Sequence, residues 1–369
     1  MTAGPAPSRL GAEIAAIIAD GGPIGVDRFM ALALGHPRLG YYVTRDPFGA
    51  AGDFTTAPET SQMFGELLGA WAVDVWTAMG KPTTVRLVEL GPGRGTLLAD
   101  ALRVARRLPD FLDAIDLQLV EISPALREVQ RRTLADCGRP LSWPAGLKAV
   151  PPGPAIVLAN EFFDALPVRH YVRMQRGWHE RLVGLGDRAL VFGLAPEPES
   201  SITLDAPNGA MVEIGLAAQE FAKALAEHLV RNQGAALVVD YGYMVPAFAE
   251  TLQAVRGHRF TDPLSAPGEA DLSAHVDFGG LTRSARAAGA AVYGPVPQGT
   301  FLRGLGIDAR AAALKRHATP EAAAAIESAL ARLTGAGTPE RPGMGHFFKA
   351  LCIAAPGLPV PPGFPDRTS

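Results

Sequence analysis

Val85-Arg86-Leu87-Val88-Glu89-Leu90-Gly91-Pro92-Gly93-Arg94-Gly95-Thr96-Leu97-Leu98 is the stretch that decides the fold. A short run of strand-forming residues reaches an acid, turns through three glycines and opens into a helical pattern. In an open α/β sheet, this is how a nucleotide-like ligand is held at the carboxyl end of the first strand. Glycine lets backbone approach such a ligand where a Cβ would collide. A dinucleotide loop reads Gly-x-Gly-x-x-Gly, whereas this one reads Gly-x-Gly-x-Gly, with Thr96 after Gly95. Pro92 removes a backbone N–H that a pyrophosphate would use. Glu89 suits a ligand that carries positive charge. Together these features select S-adenosylmethionine over a nicotinamide dinucleotide. Glu89, Gly91, Gly93 and Gly95 are then expected to shape the cofactor pocket.

Outward from this loop, strands and helices alternate. Residues 85–90 form the first strand, and 95–108 a helix. A second strand covers 117–122, with a helix over 124–135. A short third strand is expected at 148–150. Residues 155–159 and 235–240 are unbroken apolar runs, as expected of parallel strands buried on both faces. A helix over 216–230 leads into the second of these. Such alternation predicts a doubly wound sheet. The expected fold is α/β: a Rossmann-like, seven-stranded, mostly parallel methyltransferase sheet with an antiparallel last strand.

Before the sheet, helices are expected over 10–19, 26–34 and 59–79. The last places Phe64, Leu67, Leu68, Trp71 and Val75 on one face. Residues 168–214 alternate between strand-like runs and glycine turns, which predicts an antiparallel insertion. Two helices over 301–333 and a strand within 346–353 close the pattern. The expected organisation is an N-terminal helical segment with a cofactor-covering loop (1–80), a core (81–167 and 215–356), the insertion (168–214) and a proline-rich tail (357–369).

Composition narrows the partners. A chain of 369 residues with net charge −3 gives no electrostatic footprint for nucleic acid. Two distant cysteines, Cys137 and Cys352, form no Cys-x-x-Cys pair and argue against zinc or a disulfide scaffold. No apolar run reaches the roughly 18 residues of a membrane span. Residues 1–9 lack a signal-peptide core, so a cytoplasmic location is expected, with no metal.

Three further segments carry chemistry. Glu121 ends the second strand, 30 residues after Gly91. There it can accept hydrogen bonds from both ribose hydroxyls of an adenosyl group; the alternative is a solvated acid at a strand end. Asn160-Glu161-Phe162-Phe163-Asp164-Ala165-Leu166-Pro167 follows the fourth strand, where a substrate nucleophile should arrive. Asn160 is counted with the cofactor contacts. Glu161 and Asp164 could grip a guanidinium, whose fork of donors matches carboxylates, or simply tether the loop. His275 titrates near neutrality and could accept a proton, or be a structural histidine. In Gly52-Asp53-Phe54-Thr55-Thr56-Ala57-Pro58, spacing alone gives Asp53 no more than a turn-forming role.

Taken together, these segments resemble the MidA family of class I S-adenosylmethionine-dependent methyltransferases. The resemblance covers about 24–356. It rests on His36-Pro37-Arg38-Leu39-Gly40-Tyr41-Tyr42, on 52–58 with Ser61-Gln62-Met63-Phe64-Gly65-Glu66, on 89–95, on 160–167, on Asp240-Tyr241-Gly242-Tyr243 and on His275-Val276-Asp277-Phe278. The segment Pro297-Gln298-Gly299-Thr300-Phe301-Leu302 departs from the family except in its Gln-Gly and Phe-Leu pairs. The resemblance implies dimethylation of an arginine in the 49-kDa-type subunit of respiratory complex I; with no mitochondrial targeting segment read in the sequence, a bacterial member acting on the equivalent NADH–quinone oxidoreductase subunit is expected. It also implies that Asp53 belongs to the cofactor site, and it leaves a homodimer open. Two other readings compete: a cofactor-binding assembly chaperone without turnover, and a methyltransferase for another protein or a small molecule.

Overall fold

The computed structural model describes residues 8–44, 56–187, 189–245, 248–338 and 343–365. The chain forms two compact units. One comprises Met1–Phe54, Phe163–Glu220 and Tyr243–Gly280; the other comprises Thr55–Phe162, Phe221–Gly242 and Leu281–Ser369.

The second unit is built on the sheet that the glycine loop announced. Its strands are β1 (Val85–Leu90), β2 (Ile115–Val120), β3 (Leu141–Ser142), β4 (Ala155–Asn160), β5 (Gly234–Tyr243), β6 (Ala291–Pro297) and β7 (Phe348–Ala354). They lie in the order β3-β2-β1-β4-β5-β7-β6. Pairings from β3 to β5 are parallel, and β7 runs antiparallel to both β5 and β6. This is the mostly parallel sheet with an antiparallel last strand expected from the sequence. Burial on both faces explains the apolar runs: every residue from Ala155 to Ala159 and from Gly234 to Asp240 is buried.

Helix Gln62–Ala78 packs on helix Thr96–Ala105 through small residues. A Cβ on Gly69 would lie 2.6 Å from the Ala101 carbonyl oxygen, so only glycine permits this approach. The face predicted for the first of these helices, from Phe64 to Val75, is buried in the core with Leu98, Leu102 and Phe111.

Three expectations on elements need correction. The third strand is Leu141–Ser142, and 147–149 is a turn of 3-10 helix in which Ala149 N donates to Gly146 O at 2.9 Å. Pro151 and Pro152 follow it and supply no N–H for a ladder. The helix expected over 59–79 is broken at Ser61, whose extended backbone ends helix Ala57–Thr60. The Ser61 hydroxyl accepts from Met63 N at 3.2 Å and so caps Gln62–Ala78. Near the end of the chain, Gln298–Gly304, Ile307–Lys315 and Pro320–Thr334 are three helices where two were expected.

In the other unit, strands Arg169–Met174, Gly177–Leu185, Leu190–Pro198 and Met211–Ile214 form the expected antiparallel insertion. Helices Arg9–Gly21 and Val26–Gly35 share its core through Ile14, Phe29, Met30 and Val183. A second antiparallel sheet joins Gln253–Arg256, Arg259–Thr261 and Asp271–Ser273.

Candidate functional site

Parallel register brings the carboxyl ends of β1, β2, β4 and β5 to one edge of the sheet. Leu90 pairs with Val120 and with Ala159, and Asn160 pairs with Val239. Glu89, Glu121, Asn160, Glu161 and Asp240 therefore stand at neighbouring strand ends. The glycine loop crosses this edge. Gly91 N donates to Val120 O at 3.0 Å, and Gly95 N to Pro92 O at 2.7 Å. The φ angles of Gly91, Gly93 and Gly95 are +61°, +53° and +83°, in the left-handed region that favours glycine. A Cβ on Gly91 would also meet the Phe162 ring at 3.2 Å.

Glu89 is 3% exposed. Burial, together with the nearby Glu121 charge, raises its carboxyl to about 8. Among the described residues, Glu89 Oε2 and Asn160 Oδ1 have no hydrogen-bond donor. Two buried acceptors without donors, on adjoining strands beside a glycine loop, call for a ligand that brings positively charged donors. The α-ammonium of S-adenosylmethionine meets that demand, so the residues present fit this cofactor.

Glu121 is buried and held from both sides. Its Oε1 accepts from Ser123 N at 2.8 Å and its Oε2 from Gln130 Nε2 at 3.2 Å. Burial raises the Glu121 carboxyl, and these hydrogen bonds oppose the rise. Ser123 also caps the next helix, Pro124–Thr133, by accepting from Leu126 N at 3.3 Å. Beside Glu121, Ile122 is 58% exposed, a large apolar side chain in water at the edge where an adenosyl group would lie. The roles of Ser123, Ile122 and Gln130 escaped the sequence reading. A Ser-Pro pair directly after a strand-end acid signals the cap. Nothing in the sequence signals Gln130.

Glu161 takes φ +49°, a left-handed backbone uncommon outside glycine. Its N–H donates to Val239 O at 2.9 Å. Its Oε1 accepts from Ala57 N at 3.3 Å and from Asn160 Nδ2 at 3.2 Å. Glu59 Oε1 accepts from the Thr96 hydroxyl at 2.6 Å. Helix Ala57–Thr60 is thereby tied both to the end of β4 and to the helix that leaves the glycine loop.

Asp164 and His275 belong to the other unit. Ala274 N donates to Asp164 O at 2.9 Å, and His275 N to the Thr251 hydroxyl at 2.8 Å, so the two segments run side by side. Asp164 is buried. Burial of Tyr42, then the charges of Asp271 and Asp164, hold its phenol well above the usual range. Tyr42 OH donates to Asp271 Oδ1 at 2.9 Å. Burial lowers the His275 imidazole, against the pull of Glu213. Asp53 lies outside the described residues. Among the described residues there is no cluster of His, Cys, Asp and Glu that could hold a metal ion.

Residues 67–296 match the profile of a family described as S-adenosyl-L-methionine-dependent methyltransferases. The chain is 43% identical over 316 residues to the protein arginine methyltransferase NDUFAF7, mitochondrial, of Mus musculus, covering 78% of this chain and 72% of that protein. The protein of the same name from Homo sapiens is 40% identical over 316 residues, covering 78% and 71%. The crystal structure of a COG1565 superfamily member from Burkholderia thailandensis, bound to S-adenosyl-homocysteine, superposes with a TM-score of 0.83. It has 28% identity and full coverage of both chains. The chain belongs to the MidA family of class I S-adenosylmethionine-dependent methyltransferases.

Proposed function

We propose that this methyltransferase acts on arginine in a protein, and that its target is the 49-kDa-type subunit of NADH–quinone oxidoreductase during assembly. One observation carries the reading. In a chain about 40% identical to named arginine methyltransferases, an acid is held in a left-handed backbone at the carboxyl end of β4. Strained non-glycine residues cluster at functional sites, and the carboxyl ends of strands are where reacting groups sit in such sheets.

S-adenosylmethionine, when bound, supplies an electrophilic sulfonium methyl. Glu89 and Asn160 would hold its ammonium, Glu121 its ribose hydroxyls, and Ile122 would lie against its base. Gly91, Gly93 and Gly95 keep the backbone clear of it. Asp53 would join the cofactor contacts. Glu161 and Asp164 would grip the guanidinium, set one nitrogen in line with the methyl and stabilise the cation as its proton departs. Orientation and charge of this kind supply most of the acceleration in such transfers. His275, kept neutral by burial, would be the proton acceptor. The proposed setting is the bacterial cytoplasm.

The test is transfer of labelled methyl from S-adenosylmethionine to the purified subunit, followed by digestion to locate the label. Label on arginine supports the reading. Tight cofactor binding without transfer would favour an assembly chaperone, and label on another residue type would favour a different protein substrate.

A further inference from the structure

Gln130 is wholly buried in the middle of helix Pro124–Thr133 and makes three hydrogen bonds that no part of the catalytic scheme yet uses. Its Nε2 donates to Gly93 O at 2.8 Å and to Glu121 Oε2 at 3.2 Å. Its Oε1 accepts from Trp143 Nε1 at 2.7 Å. An indole nitrogen is a donor only. The amide oxygen must therefore face Trp143, and the amide group is compelled to present both its N–H bonds to Gly93 and Glu121. The Arg131 guanidinium lies 4.6 Å from the centre of the Trp143 ring and braces it.

We infer that Gln130 is a positioning residue that locks the ribose-binding carboxylate to the glycine loop, with Trp143 fixing the orientation of its amide. This rests on the reading that Glu121 binds the ribose. The geometry has a specific consequence. One side chain spans the two elements that grip opposite parts of the cofactor, so they move as one piece. A buried network with every member satisfied is rigid, and losing one member loosens the rest. Burial disfavours the ionised form of Glu121, and the charge of Arg127 favours it; the Glu121 charge in turn disfavours ionisation of Glu89. The amide of Gln130 is a neutral donor to the carboxylate and favours its ionised form.

The experiment measures the affinity of S-adenosylhomocysteine against that of its 2′,3′-dideoxy analogue, by calorimetry from pH 5 to pH 8. The ratio isolates the contribution of the ribose hydroxyls, because the titration of Glu89 acts on both ligands alike. In the unaltered protein the ratio falls on acidification as Glu121 takes up a proton. In Gln130→Met the ratio should drop about tenfold, as expected for losing a hydrogen bond to a charged group, and its fall should begin at a higher pH. Trp143→Phe keeps the ring but frees the amide to turn, and should lower the ratio in the same direction by about threefold. A role in folding alone would weaken both ligands equally and leave the ratio unchanged. An unchanged ratio in both variants, with Glu121→Gln collapsing it, overturns the inference and leaves the role of Glu121 standing. An unchanged ratio in Glu121→Gln overturns the ribose reading, and the inference with it. If Gln130→Met does not fold, Trp143→Phe decides.

Discussion

Glu89 shows how a single residue can be legible in type and hidden in state. Its place before the glycine loop marks it as a partner for positive charge. The sequence does not show that burial and Glu121 raise its carboxyl to about 8. At pH 7 the free protein therefore holds Glu89 mostly protonated. A bound ammonium would favour the carboxylate, so cofactor binding should expel most of one proton, and affinity should rise with pH between about 6 and 8. Binding enthalpies measured in buffers of different ionisation heat should reveal that proton, and Glu89→Gln should abolish it. Glu161 is the contrasting residue. Its position after β4 was legible, but its φ of +49° was not, because no residue type at that position calls for a left-handed backbone. Glu161→Gln should lower kcat by at least about a hundredfold, the usual worth of a charge-stabilising group, while the cofactor Kd stays within a few-fold. An equal loss in both would remove the residue from the substrate clamp.

At the scale of elements, the glycine loop and the insertion make opposite points. The loop could be read because its requirements are local: three left-handed positions in five residues admit little but glycine. Gly93→Val would force a β-branched side chain to φ +53°. It should weaken cofactor binding by at least about tenfold, a cost of 1–2 kcal/mol for that backbone alone, and thermal melts should show a modest fall in Tm. In the insertion, the strands were legible from alternation, but what fastens them was not. His170 is buried with its Nε2 3.1 Å from Glu213 Oε1, and Thr251 N donates to the same oxygen at 2.8 Å. The partners are separated by 43 and 38 positions in the chain, and no periodicity reports such a pair. Burial alone would raise the Glu213 carboxyl; the hydrogen bond and charge of His170, with the bonds from Thr251, outweigh it and hold the group below its usual range. A carboxyl lowered by folding stabilises above its unfolded pKa. This contribution should therefore be present at neutral pH and be lost as pH falls below about 4.5. Glu213→Gln should cost about 1–3 kcal/mol, because it removes the charged acceptor of the Thr251 and Leu252 backbone N–H groups and of the Thr251 hydroxyl; denaturant melts at pH 7 would measure it.

For the molecule as a whole, the sheet was readable because its central strands, above all 155–159 and 234–240, are buried apolar runs set between helices. The strand at 141–142 was missed because two residues are too short to show a pattern. The make-up of the unit that holds the insertion was also beyond the sequence: helices near the amino terminus and strands after β4 share one core, and only long-range contacts define that union. The proposed activity of this fold, with its cofactor loop and its strand-end acids, is methyl transfer to arginine. The most direct test is tandem mass spectrometry of the 49-kDa-type subunit from cells that make the unaltered protein or Gly93→Val. The expected result is an arginine carrying two methyl groups in the first case and the unmodified arginine in the second. An arginine modified equally in both, or unmodified in both, would contradict it.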